Sequence, residues 1–261
     1  MAGYAWMSLT TDYGLSEGFV AALHGVIGRR APAVRVIDVT HLVAPGDVRH
    51  GAEVLAQTVP YLPRAVHVGV VDPGVGTARR AIAVETPDGL LVGPDNGLLV
   101  PAAEALGGVT RAVHLTNPAW FEVPVSMTFH GRDIFAPVGA RLAAGAPLAD
   151  AGPDIDPADL ERLPDPAVSV GDGYLEAEVV LIDRFGNVQL AAPGSALSGL
   201  PDAVTVGGVR AVRGTTFGDA APGGLVVYAD SADRVAIAVN GGRAVDVLSV
   251  RGGDRVRITT P

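Results

Sequence analysis

The side chains that could do chemistry cluster in a few short stretches. In residues 66–85 an apolar, β-branched run (Val66, Val68, Val70, Val71) stops at Asp72. Pro73, Gly74 and Gly76 follow, Arg79 closes the loop, and a second alternating run begins at Ala81. Apolar runs punctuated by Pro and Gly read as strand, tight loop and strand. Pro73 fixes φ and has no N–H to donate, while the glycines let a ligand approach the backbone closely. A carboxylate thus stands at the carboxyl end of a buried strand, where open α/β sheets bind ligands, with a permanent cation seven residues on. A hairpin corner in which Asp72 caps its own turn accounts for the same residues equally well.

Asp12, in T-T-D-Y-G, occupies the same kind of position after a predicted strand over 6–11. His130 lies in T-F-H-G-R-D beside Gly131, Arg132 and Asp133, and a lone loop histidine becomes an acid–base candidate only with a partner. At 183–187 the run D-R-F-G-N ends another strand. Its spacing favours a β-turn; the functional alternative is a polar edge that recognises a nucleobase, with Phe185 as a stacking face. None of the six histidines forms an H-x-x-x-H or H-E-x-x-H pair, so zinc has little support and no metal is expected. His24, on a predicted helix, and His67, inside a strand, read as packing or surface residues. No glycine run has the G-x-G-x-x-G spacing of a dinucleotide fold.

The elements that position these residues alternate. Strands over 6–11, 34–39 and 66–71 are separated by helices with apolar stripes at Phe19, Val20, Leu23, Val26 and Ile27, and at Ala52, Val54, Leu55 and Val59. Ser16 is the expected N-cap of the first helix and Asp47 of the second. This order predicts an α/β fold: a mainly parallel sheet flanked by helices. A hairpin, a short strand over 111–115 and a helix over 134–142 complete the first domain, 1–150. Five prolines and six acids in residues 146–166 suggest a linker, placed at 151–170. Short strands over 174–182, 204–212, 225–228, 235–239 and 256–259, with a possible helix at 244–248, make 171–261 a smaller antiparallel, barrel-like β domain.

Composition removes several classes of function. With no cysteine there are no disulfides, thiolate nucleophiles or cysteine-ligated metals. All 19 basic residues are arginine, which removes Schiff-base chemistry and the phosphate-binding lysine of a P-loop. A net charge of −9 argues against a nucleic-acid partner. Without a basic-then-apolar leader or a long apolar run, the expectation is a cytoplasmic protein with no membrane partner.

In register, T-T-D-Y-G at 10–14, D-V-T-H at 38–41, V-D-P-G-V-G-T-x-R at 71–79, G-P-D-N-G at 93–97, T-F-H-G-R-D at 128–133 and I-D-x-F-G-N at 182–187 resemble one family. It is the S-adenosyl-L-methionine (SAM) hydrolases forming adenosine, or SAM hydroxide adenosyltransferases, related to fluorinases and chlorinases. The resemblance spans nearly the whole chain. It implies SAM as substrate with no cofactor, and a homotrimer holding substrate between one subunit's N-domain and the next one's C-domain. It places the catalytic set on Asp72, Arg79 and His130, and ribose binding on Asp12. Adenine and methionine contacts fall on Asp183, Phe185, Asn187 and Ser231, and more loosely on Phe217. The halogenating relatives carry Tyr at 72, Tyr at 130 and a halide-binding Ser at 131, so Asp72, His130 and Gly131 resemble the hydrolase branch. The chain departs from the pattern at Gly46, where the family has an aromatic wall, and at Leu190–Ala191, where Thr-Asn is usual. It also has Ala232 and Val239 where halogenases place arginines. A halide-using transferase and a non-catalytic SAM- or adenosine-binding protein are the alternatives.

Overall fold

The computed structural model describes residues 3–261 and divides into two compact units, one ending at Leu163 and the other beginning at Pro164. In the first unit, strands β1 (Trp6–Thr11), β2 (Arg35–Thr40), β3 (Ala65–Val70), β4 (Ala81–Thr86), β5 (Gly89–Pro94), β6 (Arg111–His114) and β7 (Asp154–Ile155) form one sheet. Its order is β2-β1-β3-β5-β4-β6-β7. The pairs β1–β2, β1–β3 and β3–β5 are parallel; β4 and β7 run against the rest. Helices α1 (Phe19–Arg30), α2 (Val48–Thr58), α3 (Val100–Ala105) and α4 (Ala136–Ala143) cover it. Leu23, Val26 and Ile27 of α1 and Val138 and Leu142 of α4 join Met7, Leu9, Val66 and Val68 in one apolar cluster. Ala52 and Leu55 of α2 join Leu91, Leu98 and Leu99 in another. Every residue of β3 is buried, as expected of a strand covered on both faces.

Asp47 caps α2 by accepting from the His50 N–H. Ser16 does not cap α1: the cap is Gly18, without a side-chain bond, and the Ser16 hydroxyl donates to Glu17 instead. Ser16 lies two residues too early to reach the first turn. The helix expected over 134–142 begins at Ala136, preceded by a π-helical turn over Gly131–Phe135. The proline- and acid-rich stretch is held by the first unit up to Leu163. There β7 pairs with β6, and the Glu161 N–H donates to Asp95.

The second unit contains β8 (Val168–Gly171), β9 (Tyr174–Ile182), β10 (Val188–Pro193), β11 (Ala203–Val206), β12 (Val209–Arg213), β13 (Leu225–Ala229), β14 (Arg234–Val239), β15 (Arg255–Thr259) and a short helix α5 (Ala244–Leu248). The order β10-β14-β13-β12-β11-β15-β9 closes through a β9–β10 pair into a seven-stranded barrel, with β8 added beside β9. All its pairs are antiparallel except β12–β13. The strand expected over 204–212 is two, because Gly207 and Gly208 both take positive φ (55° and 87°), the requirement of a tight hairpin turn. Closure leaves Leu175, Val188, Leu190, Val227, Val235 and Ile237 in one core.

Candidate active site

The carboxyl ends of β2, β1 and β3 lie side by side, and the residues that follow them carry the polar groups of the first unit. Asp72 follows β3, and the loop over 72–80 folds back so that Arg79 grips it. Arg79 Nε donates to Asp72 Oδ1 at 3.1 Å, and Arg79 Nη2 donates to Asp72 Oδ2. The two side chains are 8% and 5% exposed. The turn depends on Gly76, whose φ is +77°; a Cβ there would stand 2.3 Å from the Met127 carbonyl oxygen. Arg79 also donates to the Arg80 carbonyl at 3.1 Å and lies over the Phe135 ring at 5.3 Å.

Arg79 Nη2 lies 3.0 Å from His130 Nδ1. A guanidinium only donates, so Nδ1 accepts and the neutral ring carries its proton on Nε2. Burial, reinforced by the charge of Arg79, holds the His130 pKa below its ordinary value, against the opposing pull of Asp72 and Asp133. The hairpin-corner reading of Asp72 is thereby superseded: its carboxylate pairs with Arg79 rather than capping its own turn, and the loop histidine has its partner.

His130 is placed by the π-helical turn that follows it, a feature frequent at functional sites. Asp133, 1% exposed, anchors this turn by accepting from Arg132 Nε at 2.6 Å and from the Ser126 N–H at 2.8 Å. Tyr13, which the sequence reading passed over, packs against the same turn. An ideal Cβ on Gly131 would sit 2.1 Å from the Tyr13 hydroxyl. Edge-to-face contacts with Phe19 and Phe129, at 6.0 and 5.6 Å, hold the ring. Burial, together with Asp12 and Asp72, pushes the Tyr13 pKa far above its usual value, so the phenol stays protonated. Aromatic side chains near Gly131 were the available signal; the distance between Tyr13 and Gly131 in sequence hid it.

Asp12 is half-buried and accepts from the Gly46 N–H at 2.8 Å. Gly46 has φ +75° and stands near Pro73, so the departure from the aromatic pattern leaves a backbone donor on Asp12 in place of a wall.

In the second unit the β9–β10 loop gathers Asp183, Phe185 and Asn187. Asp183 accepts from the Asn187 N–H at 2.9 Å and from its Nδ2 at 2.8 Å, so both the turn and the polar edge foreseen in the sequence are present. Gly186, with φ +83°, lets the loop pass Arg243, and Val245 donates to its carbonyl. Phe185 is 73% exposed at the tip. Phe217 meets Tyr228 edge-to-face at 5.5 Å, and the Tyr228 phenol is pushed up to about 12 by burial, then by Asp230 and Asp183. Ser231 is exposed in the β13–β14 turn, where Asp230 accepts from the Ala232 N–H. Leu190 and Val239 are buried in the barrel wall.

A family model described as the SAM hydroxide adenosyltransferase N-terminal domain matches residues 7–152, and one described as the C-terminal domain matches 177–257. The chain is 65% identical to the (R)-S-adenosyl-L-methionine hydrolase of Salinispora arenicola over 99% of both chains. It is 40% identical to the protein of that name from Thermus thermophilus, over 95% of this chain and 97% of the relative. A fluorinase of Nocardia brasiliensis is 26% identical over 97% and 96%. An uncharacterized conserved protein from Thermotoga maritima has the same fold, with a TM-score of 0.89 at 38% identity over 97% and 99%. The chain belongs to the SAM hydroxide adenosyltransferase family.

Proposed function

We propose that the protein hydrolyses S-adenosyl-L-methionine to adenosine and L-methionine, and that its substrate is the (R) sulfonium epimer named for its relatives. The observation that carries this reading is the hydrogen-bonded set of Asp72, Arg79 and His130, embedded in a chain alike to those hydrolases along its whole length.

The sulfonium leaves as neutral methionine, so departure needs no acid. The requirement is a water held in line behind C5′ in a site that excludes bulk solvent. The water oxygen forms the new bond to C5′ while the C5′–S bond breaks and its electron pair goes to sulfur. Asp72, with lone pairs left beyond its two bonds to Arg79, accepts the water's proton. His130 donates Nε2–H to the water and keeps a lone pair aimed at carbon. Arg79 fixes both partners. Asp12 is assigned to ribose. Asp183, Phe185, Asn187, Phe217 and Ser231 are assigned to adenine and methionine. The reaction calls for no metal or other cofactor.

The same reading makes the enzyme a cytoplasmic homotrimer whose sites join the first unit of one subunit to the barrel of the next. Supporting it, Leu15, Leu42 and Met127, all in the first unit, are 65%, 67% and 63% exposed, and Phe185 and Phe217 project from the barrel. No helix among the described residues is long and apolar enough to cross a membrane. Light scattering should give three copies of the 26.5 kDa chain; an active monomer at assay concentration would contradict the shared site.

A chromatographic time course with each resolved epimer, with and without chloride, tests the function. Adenosine and methionine from the (R) epimer in equal amounts, unaffected by chloride, are expected. A chlorinated nucleoside, or tight binding without turnover, would overturn it.

A further inference from the structure

Apart from the catalytic set, the first unit gathers a second group of side chains to which no role has been given. His24 lies on α1, Asp38 on β2, and His41 just after β2. One donor atom from each lies within 4.8 Å of the others. His24 Nε2 is 2.9 Å from Asp38 Oδ1, and His41 Nε2 is 3.1 Å from the same oxygen. His24 and Asp38 face solvent, their side chains 38% and 42% exposed, whereas His41 is 3% exposed.

His41 is the telling member. Its Nδ1 is 2.8 Å from Thr11 Oγ1, but its Nε2 has no hydrogen-bond partner among the described residues. The approach to Asp38 is close but lacks the alignment of a hydrogen bond. A buried imidazole nitrogen left without a bond costs stability unless something else satisfies it. Metal-ligating histidines typically give their other nitrogen to a neighbouring oxygen, which sets the tautomer and aims the free lone pair at the ion. Thr11 is placed to do this for His41.

We propose that His24, Asp38 and His41 form a binding site for one divalent transition-metal ion of the zinc class. Two imidazoles and one carboxylate favour such an ion over the hard cations, which prefer all-oxygen sites. With metal–ligand bonds of about 2.0–2.1 Å, tetrahedral ligand atoms stand about 3.3 Å apart, close to the two histidine separations from Asp38 Oδ1, 2.9 and 3.1 Å. The exposed side leaves a fourth position to water. None of the three residues belongs to the catalytic set, so the ion acts as a brace. The Gly14 N–H donates to the His41 carbonyl and the Tyr13 N–H to Thr11 Oγ1, so holding His41 holds the loop that carries Asp12 and Tyr13.

The full chain, stripped with a chelator, should bind one equivalent of Zn²⁺ by titration calorimetry. Co²⁺ in its place should give the intense visible absorption of a low-symmetry site, and Zn²⁺ should raise Tm. His24→Ala and Asp38→Asn, both at exposed positions that leave the core intact, should each weaken Zn²⁺ at least tenfold and abolish the rise in Tm. Wild-type affinity no better than that of these variants, or stoichiometric binding retained in both, would overturn the proposal. Circular dichroism of the variants confirms that lost binding is not lost fold.

Discussion

Arg79 and Asp72 are nearly buried and bonded to each other at two points, and His130 is fixed against the same guanidinium. In the barrel, by contrast, Phe185 and Phe217 stand 73% and 49% exposed on loops, and Asp183 and Asn187 bond to one another while keeping free lone pairs and donors. The first arrangement is pre-ordered and, in the proposed reaction, leaves little to reorganise as charge develops on the attacking water. In the proposed reading the second is a recognition edge, whose apolar rings stand open in the single chain. The difference implies a division of labour: the first unit acts on the transition state and the barrel on ground-state binding.

The largest effect that tests this division is on turnover. Asp72→Ala and His130→Ala should lose about 10²-fold or more in kcat, the scale of a positioned acid–base group, while SAM affinity by calorimetry changes much less. If Asp72→Ala abolishes binding but leaves single-turnover chemistry intact, the division is broken. The pH profile adds a sign. In the proposed mechanism His130 works as the neutral ring, so kcat/KM should fall as pH drops through a pKa below 6.5 and should be flat above it.

Histidines separate the units in a second way, since all six lie before residue 131 and the barrel has none. His67 is 1% exposed, 2.8 Å from Ser8 Oγ, and burial, only partly opposed by Asp88, lowers its pKa to about 4. A lowered folded pKa means the unfolded chain takes the proton first. Its contribution is therefore present above 6.5 and is lost as pH falls from 6.5 toward about 4. The loss amounts to about 3 kcal/mol at roughly 1.36 kcal/mol per pH unit. Hydrogen exchange on the full chain across that window should loosen β1 and β3 before the barrel strands. Simultaneous loosening would blur the contrast.

Next in size is the contact between Tyr13 and Gly131. Gly131→Ser should cost about 1–3 kcal/mol in urea unfolding through overpacking, and Tyr13→Ala should recover part of it in the double variant. Strict additivity would remove Tyr13 from its position against His130's turn. The smallest expected change is in the barrel: Asn187→Ala should raise KM about tenfold, within the range for one neutral hydrogen bond, with kcat nearly unchanged.

Much of this site was legible in the chain because its residues sit where strands end. The β-branched run before Asp72 and the Pro-Gly loop after it fix strand and turn locally, and Asp47 announced α2 by its own cap. The pairing of Arg79 with His130 was not legible from local pattern, since 51 residues separate them and only the sheet order β1–β3 with the turn after His130 brings them together. Strand β10 was missed because V-Q-L-A-A-P is buried along five of its six residues and shows no alternation. Strand β8 is only four residues, V-S-V-G, too short for its alternation to stand out, and its Val168 and Val170 are exposed. The π-helical turn and the Tyr13 contact depend on tertiary packing around Gly131, and no spacing rule in one sequence encodes them.

The central claim is that water, held by Asp72 and His130, attacks C5′ and expels methionine. One turnover of SAM in oxygen-18 water, followed by mass spectrometry of both products, tests it directly. The account predicts one labelled oxygen in the adenosine 5′-hydroxyl and none added to methionine. Adenosine without the label would contradict it.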